Sequence, residues 1–171
     1  MDPADVKIRI AQSLEETRAQ YHQLLAELSE DDWHKPSMNP AWTVGEVMFH
    51  IITALRFLPA DVSLIRKNRR VPRLPAFLFH RFNEWYARRG ARKTDRGHIG
   101  ALYDREHRRV LVLLEEIGPD EWNKGMNYPG WDPQLSGFVT LEQLFLYPCA
   151  HFQTHAREIR QALHASEKMA A

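Results

Sequence analysis

Four stretches of the chain repeat apolar residues at helical spacing. In residues 3–29 the apolar or aromatic positions are Val6, Ile10, Leu14, Thr17, Tyr21, Leu24 or Leu25, and Leu28, with Glu, Arg and Gln between them. Steps of three and four put these on one face of a helix, and Pro3 suits its first turn. A second helix opens on Thr43-x-x-Glu46, a capping-box signature, runs from Val44 to Leu58 and is expected to stop before Pro59. The third spans about 97–117, with Ile99, Leu102 or Tyr103, Val110, Leu113 or Leu114, and Ile117 on its stripe. The fourth opens on Thr140-x-x-Gln143 and carries Leu141, Leu144, Phe145, Pro148, Phe152, Ile159 and Leu163. Pro148 predicts a kink, and the helix is expected to end near His164 with a frayed tail, Ala165–Ala171. The pattern predicts an all-α chain.

Between these stretches the pattern breaks. Residues 30–41 hold two prolines and read as a loop, with Trp33 lidding one end of the core. Residues 59–96 are punctuated by Pro59, Pro72 and Pro75. A short aromatic helix is expected from Ala76 to Arg88, a stop at Gly90, and an exposed basic loop from Arg88 to Arg96. Residues 118–137, rich in Gly, Pro and Asn, read as a long loop in which Trp122 and Trp131 wall the mouth of a pocket. There is no internal repeat.

Composition narrows the class. The 171 residues suit a single domain over 1–171 that buries a core without cross-links. The one cysteine, Cys149, excludes an internal disulfide, fits a reducing cytoplasm and reads as a small buried hydrophobe rather than a nucleophile. No apolar run long enough to span a membrane is read, and the start lacks the basic and apolar regions of a signal peptide, so no membrane partner is expected. The net charge of +1 hides an asymmetry: residues 66–96 hold eleven Arg or Lys against two acids, and the remainder holds twelve basic residues against twenty acids. Such a segment suits an anionic ligand, nucleic acid or an acidic partner. The plainer and favoured reading is a solvated helix face answering the acidic remainder, and nucleic acid is the less favoured one.

Candidate chemistry lies on the stripes themselves. His151 and His155 stand four apart, one above the other on a helix, and both continue the apolar face of the fourth helix. His50 shares the inward face of the second helix with Val47, Ile51 and Ala54. Three imidazoles from two helices can hold one divalent ion with a coordination position left open. The plainer alternative is three satisfied core histidines, and a lone H-x-x-x-H is weak evidence. His22 reads as a surface residue and His34 has polar neighbours. On the third helix, Glu106 and His107 interrupt the stripe, and Tyr103 lies nearby. All three are candidate proton-transfer residues, with a fourth-ligand role open to Glu106 and His107. The rival reading leaves Glu106 and His107 flanking the stripe in solvent.

Three segments carry a family resemblance: Leu28-Ser-Glu-Asp-Asp-Trp33, Trp42-Thr-Val-Gly-Glu-Val-Met-Phe-His50-Ile51, and His151-Phe-Gln-Thr-His155-Ala-Arg-Glu-Ile159. The chain resembles the DinB-like (damage-inducible B) superfamily, which includes bacillithiol S-transferases and mycothiol-dependent enzymes. The resemblance implies an up-down-down-up four-helix bundle with a basic, proline-punctuated insertion at about 59–96. It implies a divalent metal (Zn, Ni or Fe) on His50, His151 and His155. It also implies transfer of a small-molecule thiol to an electrophile, or a related metal-assisted hydrolysis or isomerisation. A stress-response setting and a homodimer go with that expectation. The competing class is a non-catalytic metal- or ligand-binding module that contacts nucleic acid through the basic insertion.

Overall fold

The computed structural model describes residues 3–71 and 74–170, with side chains described for 4–71 and 74–165. Its helices are α1 (Pro3–Glu27), α2 (Glu30–His34), α3 (Val44–Arg66), α4 (Ala76–Ala91), α5 (Arg96–Glu115) and α6 (Leu141–Ala170). A hairpin of β1 (Gly125–Asp132) and β2 (Leu135–Thr140) precedes α6. Helices α1, α3, α5 and α6 form a four-helix bundle. In it α3 packs mainly on α5 and α6, and so does α1, so α1 and α3 occupy opposite corners.

The anticipated stripe is the buried face of α1: Val6, Ile10, Leu14, Thr17, Tyr21, Leu24 and Leu28 are all buried. Both longer capping boxes form. Thr43 Oγ1 accepts from the Glu46 amide while the Glu46 carboxylate accepts from the Thr43 amide, and Thr140 and Gln143 repeat the exchange. Each cap contributes about 1 kcal/mol by satisfying amides the helix cannot. Trp33 does lid the core, and it packs so close to α3 that a Cβ on Gly45 would lie 2.5 Å from its indole.

Several sequence expectations need correction. The second helix does not stop before Pro59. It continues to Arg66, because the continuation buries Val62 and Ile65, and burying two large aliphatic side chains offsets a helix proline's cost of about 3 kcal/mol. Residues 30–41 contain the short helix α2, capped by Ser29 and Asp32. The segment after α3 is less irregular than expected: α4 runs to Ala91 and α5 begins five residues later. Gly90 is no helix stop. It sits inside α4 under the ring of Phe49, where a Cβ would lie 1.9 Å from Cζ, so glycine is the residue that lets α4 lie flat on α3. Pro72 lies outside the described residues. The fourth helix extends beyond His164 to Ala170, and Pro148 sits within it; the last residue of the expected frayed tail is outside the described residues.

The stretch 118–137 is not a plain loop. Antiparallel pairing of Gly125 with Thr140, through Tyr128 with Gly137, builds the hairpin, which docks on the bundle through Met126 and Val139. Trp122 is a core residue, edge-on to Phe145, while Trp131 stacks on Phe79 of α4 with centroids 4.4 Å apart. Among the described residues, only α3 has the length and apolar composition to cross a membrane; here it is a bundle helix, most of it covered by its neighbours.

Candidate metal centre

α3 carries His50 and α6 carries His151 and His155 to one point in the bundle. Ring centroids lie 4.8 Å apart for His50 and His151, 4.9 Å for His50 and His155, and 4.5 Å for His151 and His155. One ring nitrogen from each falls within 4.8 Å of the other two. His50 and His151 are buried and His155 is half-buried. Trp42 covers one side, its ring 4.6 Å from that of His50, and its buried indole Nε1 has no hydrogen-bond partner.

The outward nitrogens are tied down. His151 Nδ1 is 3.1 Å from the Tyr147 hydroxyl, which donates at 2.7 Å to Asp132 Oδ2. The same carboxylate oxygen is 3.6 Å from His151 Nδ1. His155 Nδ1 is 2.7 Å from Glu158 Oε2. His50 Nδ1 is 3.5 Å from Thr53 Oγ1, whose hydroxyl donates to the His50 carbonyl at 2.6 Å. An acceptor at each Nδ1 fixes the proton there and leaves the Nε2 lone pair free. His151 Nε2 is buried with no hydrogen-bond partner.

The electrostatics follow from burial. Burial lowers the His50 pKa well below 6.5, and His151 and His155 lower it further. Burial and then His151 lower that of His155, with Glu158 opposing. Burial raises the Asp132 carboxyl, but hydrogen bonds from His151 and Tyr147 outweigh it and hold the group below the usual carboxylate range. Burial and the Asp132 charge push the Tyr147 hydroxyl upward, so it stays a donor. Neutral imidazoles with outward donors and inward lone pairs are the state a cation requires of its ligands. Zinc–nitrogen bonds of about 2.0–2.1 Å set tetrahedral nitrogens roughly 3.4 Å apart, so closing on an ion asks side-chain shifts on the order of 1 Å. The residues fit a divalent cation.

The candidates on α5 stand elsewhere. Glu106 is buried, not in solvent, and receives Arg56 at 3.2 Å, Arg105 at 3.0 Å and Arg109 at 2.9 Å. Tyr103 stacks on Tyr21 at 4.0 Å. His107 is buried, roughly parallel to Tyr103, with Nε2 3.8 Å from Glu15. No hydrogen bond or ring contact joins these three to His50, His151 or His155 among the described residues. His22, expected at the surface, is half-buried and pairs with Asp104 at 2.8 Å, whereas His34 is exposed. Cys149 is half-buried, and burial raises its thiol pKa, as suits an inert packing residue.

Sequence reading missed Asp132, Tyr147, Glu158 and Thr53. Three of them had a signal. Tyr147 is four before His151, Glu158 three after His155, and Thr53 three after His50, the offsets of helical neighbours. Asp132 had none, because it reaches the site from the unforeseen hairpin.

The family model of the DinB superfamily matches residues 13–159. The chain belongs to the DinB superfamily. No match emerges among curated proteins. Among solved structures, this DinB chain is similar to YfiT from Bacillus subtilis, described as a probable metal-dependent hydrolase with an unusual four-helix bundle topology. Identity is 21%, the TM-score is 0.68, and the match covers 96% of this chain and 87% of that one. It is also similar to a mycothiol-dependent maleylpyruvate isomerase, at 12% identity and a TM-score of 0.69, over 93% of this chain and 63% of that one. A third similar structure is the colibactin self-resistance protein ClbS in complex with double-stranded DNA, at 9% identity and a TM-score of 0.69, over 92% and 94%. At these identities the likeness is one of fold.

Proposed function

We propose that this DinB protein is a divalent-metal-dependent enzyme whose cation is held by His50, His151 and His155, and whose substrate is a small-molecule thiol joined to an electrophile. The observation that carries the reading is the buried, unpartnered His151 Nε2 inside a ring of three imidazoles whose outer nitrogens are all engaged. A buried polar atom without a partner is costly, and a cation shared by three lone pairs removes that cost.

The chemistry such a cation supplies is to lower the pKa of a thiol or water enough to give a nucleophile near neutral pH. The protein's own part is positional. Asp132 acts through Tyr147 to fix the tautomer and ring plane of His151, and Glu158 does the same for His155. Trp42 shuts solvent from the His50 side and offers an unused N–H donor at the rim. The metal-dependent and thiol-dependent descriptions of the two similar enzymes agree with this reading. The arginines of 66–96, attractive for gripping a thiol's carboxylates, are partly committed: Arg66 binds Glu121 at 3.0 Å and Arg88 binds the Ala41 carbonyl at 2.6 Å.

Elemental analysis of the purified protein tests the site. One divalent ion per chain is expected, with loss in His151→Ala at unchanged helical circular dichroism; equal metal in both proteins removes the assignment. A screen of small thiols with electrophiles, followed by thiol titration, tests the reaction. Metal-dependent thiol consumption supports it, and a metal-loaded protein that hydrolyses an ester or amide without consuming thiol would replace it with hydrolysis.

A further inference from the structure

Ten large hydrophobic residues are exposed among the described residues, and five of them fall within residues 74–85: Leu74, Phe77, Leu78, Phe82 and Trp85. Exposures of 64% for Phe77 and 54% for Trp85 exclude partial core packing as the reason for these side chains. The inner side of α4 is already in use, through Ala87, through Gly90 beneath Phe49, and through Phe79 on Trp131. The helix therefore has two apolar sides, one docked on the bundle and one facing out.

The outward side is basic as well. Arg81, Arg89, Arg92 and Lys93 are exposed beside Trp85, with the Arg89 guanidinium 5.6 Å from its ring centre. The one acid of α4, Glu84, is neutralised by Arg88 at 2.9 Å. Large apolar side chains flanked by exposed Arg and Lys are the pattern of a helix that lies in the plane of a bilayer, with its rings among the acyl chains and its cations among acidic headgroups.

We propose that the outer face of α4 and its flanking residues, from Leu74 to Lys93, docks on an anionic lipid surface. The sequence reading expected no membrane partner because no apolar run could span a bilayer, but a helix lying in the plane of the surface needs no such run. Two other occupants fit less well. A second copy packed face to face would bring two strongly basic segments into one interface. Nucleic acid would reward the arginines and Trp85, but Leu74 and Leu78 offer no ring for a base to stack on. Docking here would also link the lipid surface to the histidine site through α4, since Phe79 on its inner side packs on Trp131 and Arg88 binds the residue before Trp42.

Flotation of the full chain with vesicles tests the proposal. Vesicles of phosphatidylglycerol with phosphatidylcholine should carry the protein at low salt; phosphatidylcholine alone should not. Arg89→Glu with Arg92→Glu should weaken partitioning roughly tenfold or more, and Leu78→Ser with Trp85→Ser should abolish it. These side chains are exposed, so unchanged circular dichroism is expected. In bilayers of brominated lipid, part of the tryptophan emission should be quenched, and Trp85→Phe should remove that quenching while the protein still binds. Failure to float with anionic vesicles overturns the proposal. So does equal flotation of the Leu78→Ser/Trp85→Ser variant. A dimer that this variant dissociates, in a protein that ignores vesicles, assigns the face to a second copy; tighter binding of an oligonucleotide than of vesicles assigns it to nucleic acid.

Discussion

Two buried polar clusters lie within the same bundle, and they are built in opposite ways. Around Glu106, one carboxylate meets three guanidiniums, and Arg56 also binds the Tyr86 hydroxyl at 3.1 Å, so the group ties α3, α4 and α5 together. Every charge there has a partner within the chain. Around His50, His151 and His155, like groups face one another, their acceptors all lie on the outside, and the centre keeps a nitrogen with no partner. Burial alone does not mark a functional residue. A cluster complete in itself clasps helices, and a cluster that leaves a nitrogen unpartnered at its centre is a candidate site.

Metal should separate the two most sharply. With a divalent ion at about a hundred times its dissociation constant, the wild type should gain roughly 2.7 kcal/mol of stability. That gain should vanish in His151→Ala, while the metal-free forms of the two proteins unfold at similar denaturant concentrations. Glu106→Ala should do the reverse: metal content stays at the wild-type level, and stability falls by about 2–3 kcal/mol with or without metal, because Arg56 loses its carboxylate. The partial exposure of Arg105 and Arg109 keeps that loss below what a fully buried pair would show. A Glu106→Ala protein that binds no metal would collapse the distinction.

A smaller effect is expected at Asp132. Asp132→Asn keeps the shape but weakens the hold on Tyr147 and His151. Metal affinity measured by competition with a chelator should drop roughly tenfold to a hundredfold, with a modest loss of metal-free stability, because the fold favours the charged carboxylate. An unaltered affinity would detach the hairpin from the site's function.

The smallest effect is on pH. In metal-free protein, His50 has a folded pKa below its unfolded 6.5, so its contribution is full above 6.5 and is lost as pH falls from there. Glu106 is different. Burial raises its carboxyl, but Arg105, Arg56 and Arg109 bring it below 4.5, so its contribution is full above 4.5 and is lost only as pH falls further. Melting temperature against pH should therefore decline over two ranges: His50→Gln should reduce the upper decline, which His155 shares, and Glu106→Gln the lower, which Asp132 shares. A single step untouched by either change would mean that both clusters are silent.

The bundle and the triad were legible in the sequence because both rest on helical periodicity. Val6 to Leu28, and Leu141 to Ile159, announce their buried faces by spacing alone, and His50, His151 and His155 were visible as polar interruptions of such faces. What stayed hidden depended on contacts between distant segments. Pro59 looks like a stop until Val62 and Ile65 are seen to be buried. Gly90 looks like a cap until Phe49 is found above it. The hairpin escaped because Gly125, Pro129, Gly130 and Gly137 carry turn composition, and because only Met126 and Val139 are fully buried, too few for alternation to show. Glu106 stood out as a polar interruption of the stripe, with burial and solvent exposure both open, but its arginine partners come from Arg56 on another helix as well as from its own, and no spacing rule pairs them.

The hairpin has a further consequence for how such proteins diversify. It contributes Asp132, which steadies His151 through Tyr147, and Trp131, which leans on α4, yet only Met126 and Val139 of it are fully buried, with Tyr128 and Leu135 packed partly against the core. A segment so lightly attached can change length or composition with little penalty to the scaffold, and each change would retune the environment of His151. Evolution, or an engineer, could thus alter the surroundings of the histidine cluster by exchanging residues 125–140 as a cassette while His50, His151 and His155 themselves stay fixed.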